Sequence, residues 1–152
     1  LLGSLSSRRW DHVQMIIPYF LVGVTVIWIY ARDLNVLLLG EETAQQTGVD
    51  VEQVKRIILS ASALLAAAAV SVSGIIGFVG LIVPHLMRVI TGPDHRKLIP
   101  LSALSGALLM ILADLVARTV ISPSEIPIGI ITSVLGCPFF LFLIARRNTI
   151  SF

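Results

Sequence analysis

Charge is scarce in this chain of 152 residues: Asp, Glu, Lys and Arg make up 13% of it, about half the share of an ordinary soluble domain. Hydrophobic residues make up 56%, and a soluble domain of this size lacks the volume to hide them. That balance excludes a nucleic-acid-binding domain, a disordered chain and an ordinary soluble enzyme. Cysteine occurs once, at Cys137, so there is no intrachain disulfide and no cysteine metal cluster; between Gly136 and Pro138 it reads as a small apolar filler. No glycine-rich loop ends in Lys-Ser or Lys-Thr, so the chain offers no nucleotide site of its own. No serine, histidine and acid pattern points to a hydrolase. The order of segments that makes a signal peptide is absent.

What is present is a series of long apolar runs with a mean hydropathy of +0.94. About 20 helical residues cross a hydrocarbon core, so the fold class is an all-α integral membrane protein. Five crossings are expected, over 15–31, 57–73, 78–90, 98–121 and 129–145. Trp28 and Tyr30 suit an interfacial aromatic belt. The uncharged stretch from Ile57 to Met87 would be about 46 Å long as one helix, so a fold-back is expected at Ser73-Gly74-Ile75-Ile76-Gly77, where two glycines weaken a helix. Pro84 is expected to kink the short crossing that follows. Ala66–Ala69 allows close approach of another helix. Leu1 in place of Met is read as the mark of a piece of a larger membrane protein.

The connection over 39–50 carries its own start and stop signals. Gly40, Glu41, Glu42, Thr43, Ala44, Gln45, Gln46, Thr47 and Gly48 read as a short helix. Its acids suit the positive N-terminal end and Gly48 suits a left-handed terminus. Asp50 reads as the cap of the next helix, with Gln53 as its capping-box partner. Ser122, Pro123 and Glu125 read as another brief helical turn, ended by Pro127. Eight basic residues (Arg32, Lys55, Arg56, Arg88, Arg96, Lys97, Arg146 and Arg147) fall on one side of a five-crossing chain, of 11 in all. The positive-inside rule then puts the C-terminus in the cytoplasm.

Asp114 and Arg118 stand four apart and share a helix face. They read either as a structural pair or as docking or pathway charges. His85, after Pro84 and three before Arg88, reads as a packing or hydrogen-bonding residue rather than a metal ligand.

Several blocks together resemble the permease subunits of bacterial ATP-binding-cassette importers for ferric siderophores, haem and vitamin B12. They are Gly74-Ile75-Ile76-Gly77-Phe78-Val79-Gly80-Leu81-Ile82-Val83-Pro84-His85-Leu86-Met87-Arg88, then Asp94-His95-Arg96, Leu98-Ile99-Pro100-Leu101-Ser102, and Ala113-Asp114-Leu115-Val116-Ala117-Arg118. Glu125-Ile126-Pro127-Ile128-Gly129 with Gly136, Pro138 and Phe139 completes the series, and Gly3-Ser4-Leu5 with Trp10 is similar to the family's outer segment. The resemblance implies the C-terminal half of a ten-helix permease in the bacterial plasma (inner) membrane. It implies a second permease copy or paralogue, two cytoplasmic ATP-binding subunits that use ATP and Mg, and an extracytoplasmic substrate-binding protein. Gly40–Gly48 then corresponds to the ATPase-coupling segment and Arg118 to a docking residue. Gly74, Gly77, Pro84, His85, Arg88, Asp114, Glu125, Pro127, Gly129, Gly136 and Pro138 fall to structural or gating roles. No catalytic residue, metal or bound cofactor is implied. A ferric siderophore is the favoured cargo, with haem and cobalamin as alternatives. An ion-gradient transporter and a purely structural membrane subunit are the competing classes.

Overall fold

A computed structural model describes residues 3, 5, 8–120 and 127–148. They hold seven helices: α1 (Trp10–Ile29), α2 (Ala31–Leu37), α3 (Glu41–Gln46), α4 (Val51–Ser73), α5 (Val79–Thr91), α6 (His95–Val120) and α7 (Ile128–Asn148). Trp10–Ile29, Val51–Ser73 and His95–Thr119 are long and apolar enough to cross a membrane, while Val79–Thr91 and Ile128–Leu141 are shorter apolar helices.

The first helix begins five residues earlier than the apolar run alone suggests. His12 Nδ1 accepts the Arg9 backbone N–H at 3.3 Å, a local bond that starts the helix inside polar sequence. It ends at Ile29 rather than Ala31, and a separate short helix, α2, occupies what reads as the apolar start of a connection. The fold-back lies where the glycines put it. Ser73 is the last residue of α4, Gly74 caps it at φ 71°, and α5 opens at Val79. Helix α5 runs unbroken through Pro84.

The strain at the fold-back is carried by Phe78, the cap of α5, at φ 66°. A non-glycine residue pays about 1–3 kcal/mol for such a backbone, so it persists only where packing enforces it. Gly136 of α7 supplies the reason: a Cβ there would overlap the Phe78 side chain.

Two groups of helices result. Helix α1 packs chiefly on α4, with Gly23 facing Leu65, and α2 and α3 lie at the end of that pair. Helices α5, α6 and α7 pack on one another. At the end remote from α3, Gly3 links the groups by backbone bonds. Its N–H donates to Ile75 O at 3.0 Å, and its carbonyl accepts the Gly129 N–H at 3.3 Å. Ala113, Ala117 and Ile128 form a buried cluster between α6 and α7, with Leu5, Met110 and Ile131 against it. Most other large apolar side chains face outward, Leu59, Leu104 and Leu141 among them. Apolar helices with exposed apolar faces fit lipid, where close packing of small residues rather than removal from water holds the helices together.

Candidate functional site

Helix α3 is six residues long and is held at both ends by glycine. Gly40 caps it at φ 110°. At the other end Gly48 adopts φ 86° and the chain closes a Schellman motif: Val49 N–H donates to Ala44 O at 3.1 Å and Gly48 N–H to Gln45 O at 3.0 Å. Thr47 Oγ1 also donates to Ala44 O, at 2.8 Å. Ala44 is fully buried and turned inward. Glu41, Glu42, Thr43, Gln45, Gln46, Thr47 and Gly48 are exposed, and so are Leu38 and Leu39 just before them.

The segment is therefore a short, rigid, polar knuckle beside two exposed leucines. Glu41 pairs with Lys55 of α4. Both side chains are about half exposed, so the pair orients α3 and adds little stability. Asp50 caps α4 by accepting the Gln53 N–H at 3.0 Å, and Arg56 pairs with Glu52 at 2.6 Å.

Beside this knuckle lies a cluster that the sequence reading missed. Asn35 of α2 donates from Nδ2 to Asp94 Oδ1 at 2.7 Å. Its own Oδ1 accepts the His95 backbone N–H at 2.8 Å. His95 Nδ1 lies 2.9 Å from the same oxygen, a hydrogen bond when the proton sits on Nδ1. Asp94 in turn caps α6, with Arg96 N–H bonded to its Oδ1 at 3.0 Å and Leu98 N–H to its carbonyl at 2.9 Å. The Asn35 bond holds the Asp94 carboxyl below its usual range, with the Arg96 N–H adding to the effect. Asp94 directly before a helical run was a readable cap. Asn35 carried no signal, because its partners lie about 60 residues on.

Arg118 and Asp114 pair at 2.8 Å near the C-terminal end of α6, remote from α3. Arg118 is the more exposed partner, and its charge suits the negative end of the helix. His85 meets the Phe139 ring edge-on at 5.8 Å, joining α5 to α7 beside a cavity of about 120 Å³ lined by Phe78, Leu81, Ile82, His85 and Phe139 among others. Arg88 lies in the last turn of α5. Gly129 packs near Gly3 and Ile75 at the remote end, and its carbonyl accepts the Ser133 hydroxyl at 2.6 Å. Pro127 directly precedes α7, and Pro138 lies within it. A Cβ at Gly77 would meet open space, so no contact demands glycine there. Ser122, Pro123 and Glu125 lie outside the described residues. The sequence-predicted residues thus fall at two ends: Gly40–Gly48 and Arg88 at one, Asp114, Arg118, Pro127 and Gly129 at the other. Gly74 and Gly77 sit at the fold-back, also remote from α3.

A helical bundle with lipid-fitting faces and a polar knuckle at one end has the architecture of an integral membrane protein. The chain belongs to the FecCD transport family, whose model matches residues 1–146. It is 50% identical over 148 residues to a cobalamin import system permease protein of Halobacterium salinarum, covering 97% of this chain and 40% of that protein. It is 47% identical over 151 residues to a hemin transport system permease protein of Yersinia pestis, covering 97% and 44%. In structure it is similar to an ABC transporter classed as of the metal-chelate type, in an inward-facing conformation, with a TM-score of 0.87 and 37% identity over 95% of this chain and 46% of that one. The chain spans less than half the length of the curated relatives it matches. It is an all-helical, multi-pass membrane protein of a transport family.

Proposed function

We propose that the chain is part of the membrane-spanning subunit of an ATP-driven importer for metal chelates, and that α3 is where ATPase subunits engage it. The observation that carries this reading is the exposed α3 knuckle, glycine-capped at both ends and anchored through Ala44 and Lys55. A rigid polar projection of this size serves as a lever only if something outside the bilayer grips it.

The five apolar helices α1, α4, α5, α6 and α7 are the crossings of this proposal. Arg32, Lys55, Arg56, Arg88, Arg96 and Lys97 then lie at the α3 end, and Arg8, Arg9 and Arg118 at the other. By the positive-inside rule the α3 end and the C-terminus are cytoplasmic, in the plasma membrane. The partners are a second permease copy or paralogue, two cytoplasmic subunits that use ATP and Mg, and a binding protein outside that meets Arg118. The relatives' names and the metal-chelate class of the similar structure support a large organic chelate as cargo, with ferric siderophore, haem and cobalamin as its forms. The chain itself contributes a pathway wall and no bond chemistry. ATP binding biases one of two permease arrangements by favouring the position of α3 that goes with it.

The test is co-purification of the ATPase subunits with the full-length permease, comparing the wild type with a scramble of Glu41–Gly48. The wild type retains them and a folded scramble loses them. Equal retention by both removes α3 as the docking site.

A further inference from the structure

From the hydrogen bonds of its side chain we infer that Asn35 is a positioning residue for transport, the clasp through which movement of the α2–α3 arm reaches the α5–α6–α7 group. The inference rests on the reading of α3 as the ATPase docking site.

The two helix groups are joined covalently by residues 74–78, a non-helical stretch with φ 71° at Gly74 and φ 66° at Phe78. That joint, like the Gly3 backbone bonds, lies at the end remote from α3. A push on α3 therefore arrives at the wrong end of the covalent path. At the near end α2 packs on both α3 and α6. Among the described residues, the side-chain hydrogen bonds that cross between the groups there all involve Asn35.

The amide suits the task because it donates and accepts at once. It donates a hydrogen bond to the Asp94 carboxylate and accepts one from the His95 backbone N–H, gripping the cap and the first residue of α6 together. A bond to an ionised partner is about twice as strong as a neutral one. Two bonds to one rigid helix start also resist rotation, which a single contact does not. Asn35 stands only five residues before Gly40, the cap of α3, so little slack separates the clasp from the knuckle.

The test uses full-length permease with its ATPase and loaded binding protein in lipid vesicles, reading chelate taken up per ATP hydrolysed. In N35A and N35D that ratio falls about fivefold or more, while ATP hydrolysis and subunit assembly persist. N35D sets two carboxylates against each other, so its ratio falls at least as far as that of N35A. A wild-type ratio in both single variants overturns the inference. If the wild type itself shows no ATP-driven uptake, the importer reading fails and takes the inference with it.

Should the single variants not assemble, spin labels decide with Asn35 in place. They are set at R32C on α2 and K97C on α6, in a C137A background. A separation that stays within about 2 Å between nucleotide-free and ATP-bound states supports a clasp; independent movement overturns it.

Discussion

Phe78 and Gly136 share one space: the Phe78 side chain occupies the volume that a Cβ on Gly136 would need. The strained start of α5 is thereby pressed on the backbone of α7. G136A is expected to destabilise the full-length permease by about 1–3 kcal/mol, as overpacking does. Thermal unfolding in detergent reads this as a lower Tm, and F78G added to G136A, which removes the overlapping Cβ of Phe78 and its left-handed strain, recovers part of the loss. An unchanged Tm in G136A contradicts the contact.

Gly48 is a milder case, because a Cβ there meets nothing and only the backbone objects. At φ 86° an alanine costs about 1 kcal/mol. G48A should lower stability by that amount and weaken ATPase retention, since the Schellman closure sets where α3 points.

Asp94 makes stability depend on pH in a stated direction. Its carboxyl titrates below the ordinary 3.8, first because of Asn35 and then because of the Arg96 N–H. The unfolded chain binds the proton more readily, so the contribution is complete above about pH 4 and is lost as pH falls through the lower folded value. D94N removes it. Acid unfolding curves of the wild type and D94N should converge below pH 4 and separate above it, with the wild type the more stable.

Arg118 separates two roles that share one ion pair. An exposed i, i+4 pair is worth about 0.3–0.5 kcal/mol, so R118A leaves Tm almost unmoved. In the docking role proposed for it, Arg118 governs affinity for the binding protein instead, and R118E should weaken that by about tenfold. D114N, which breaks the same pair but keeps the cation, leaves affinity near the wild-type value in a vesicle-binding titration.

Local chemistry explains what the sequence disclosed. Gly48, Asp50, Gly74 and the Asp114–Arg118 pair act within a few residues of themselves, so spacing alone located the short helix, the next cap, the fold-back and the pair. The start of α1 at Trp10 was hidden because hydropathy marks the lipid-facing run, whereas the helix begins where His12 bonds back to Arg9. Helix α2 was hidden for a similar reason, as a mixed segment with no strong period. Long-range partners were illegible. Nothing near Asn35 announces Asp94, nothing near Gly3 announces Ile75 and Gly129, and the left-handed Phe78 makes sense only beside Gly136.

On the proposed function, ATP drives a chelate through this permease by way of α3. The direct measurement is uptake into vesicles holding the full-length permease and its ATPase, supplied with loaded binding protein, for the wild type and a folded Glu41–Gly48 scramble. Coupling through α3 gives ATP-dependent uptake that the loaded binding protein stimulates and the scramble abolishes. Uptake that continues without any ATPase subunit and collapses with the ion gradient would contradict it.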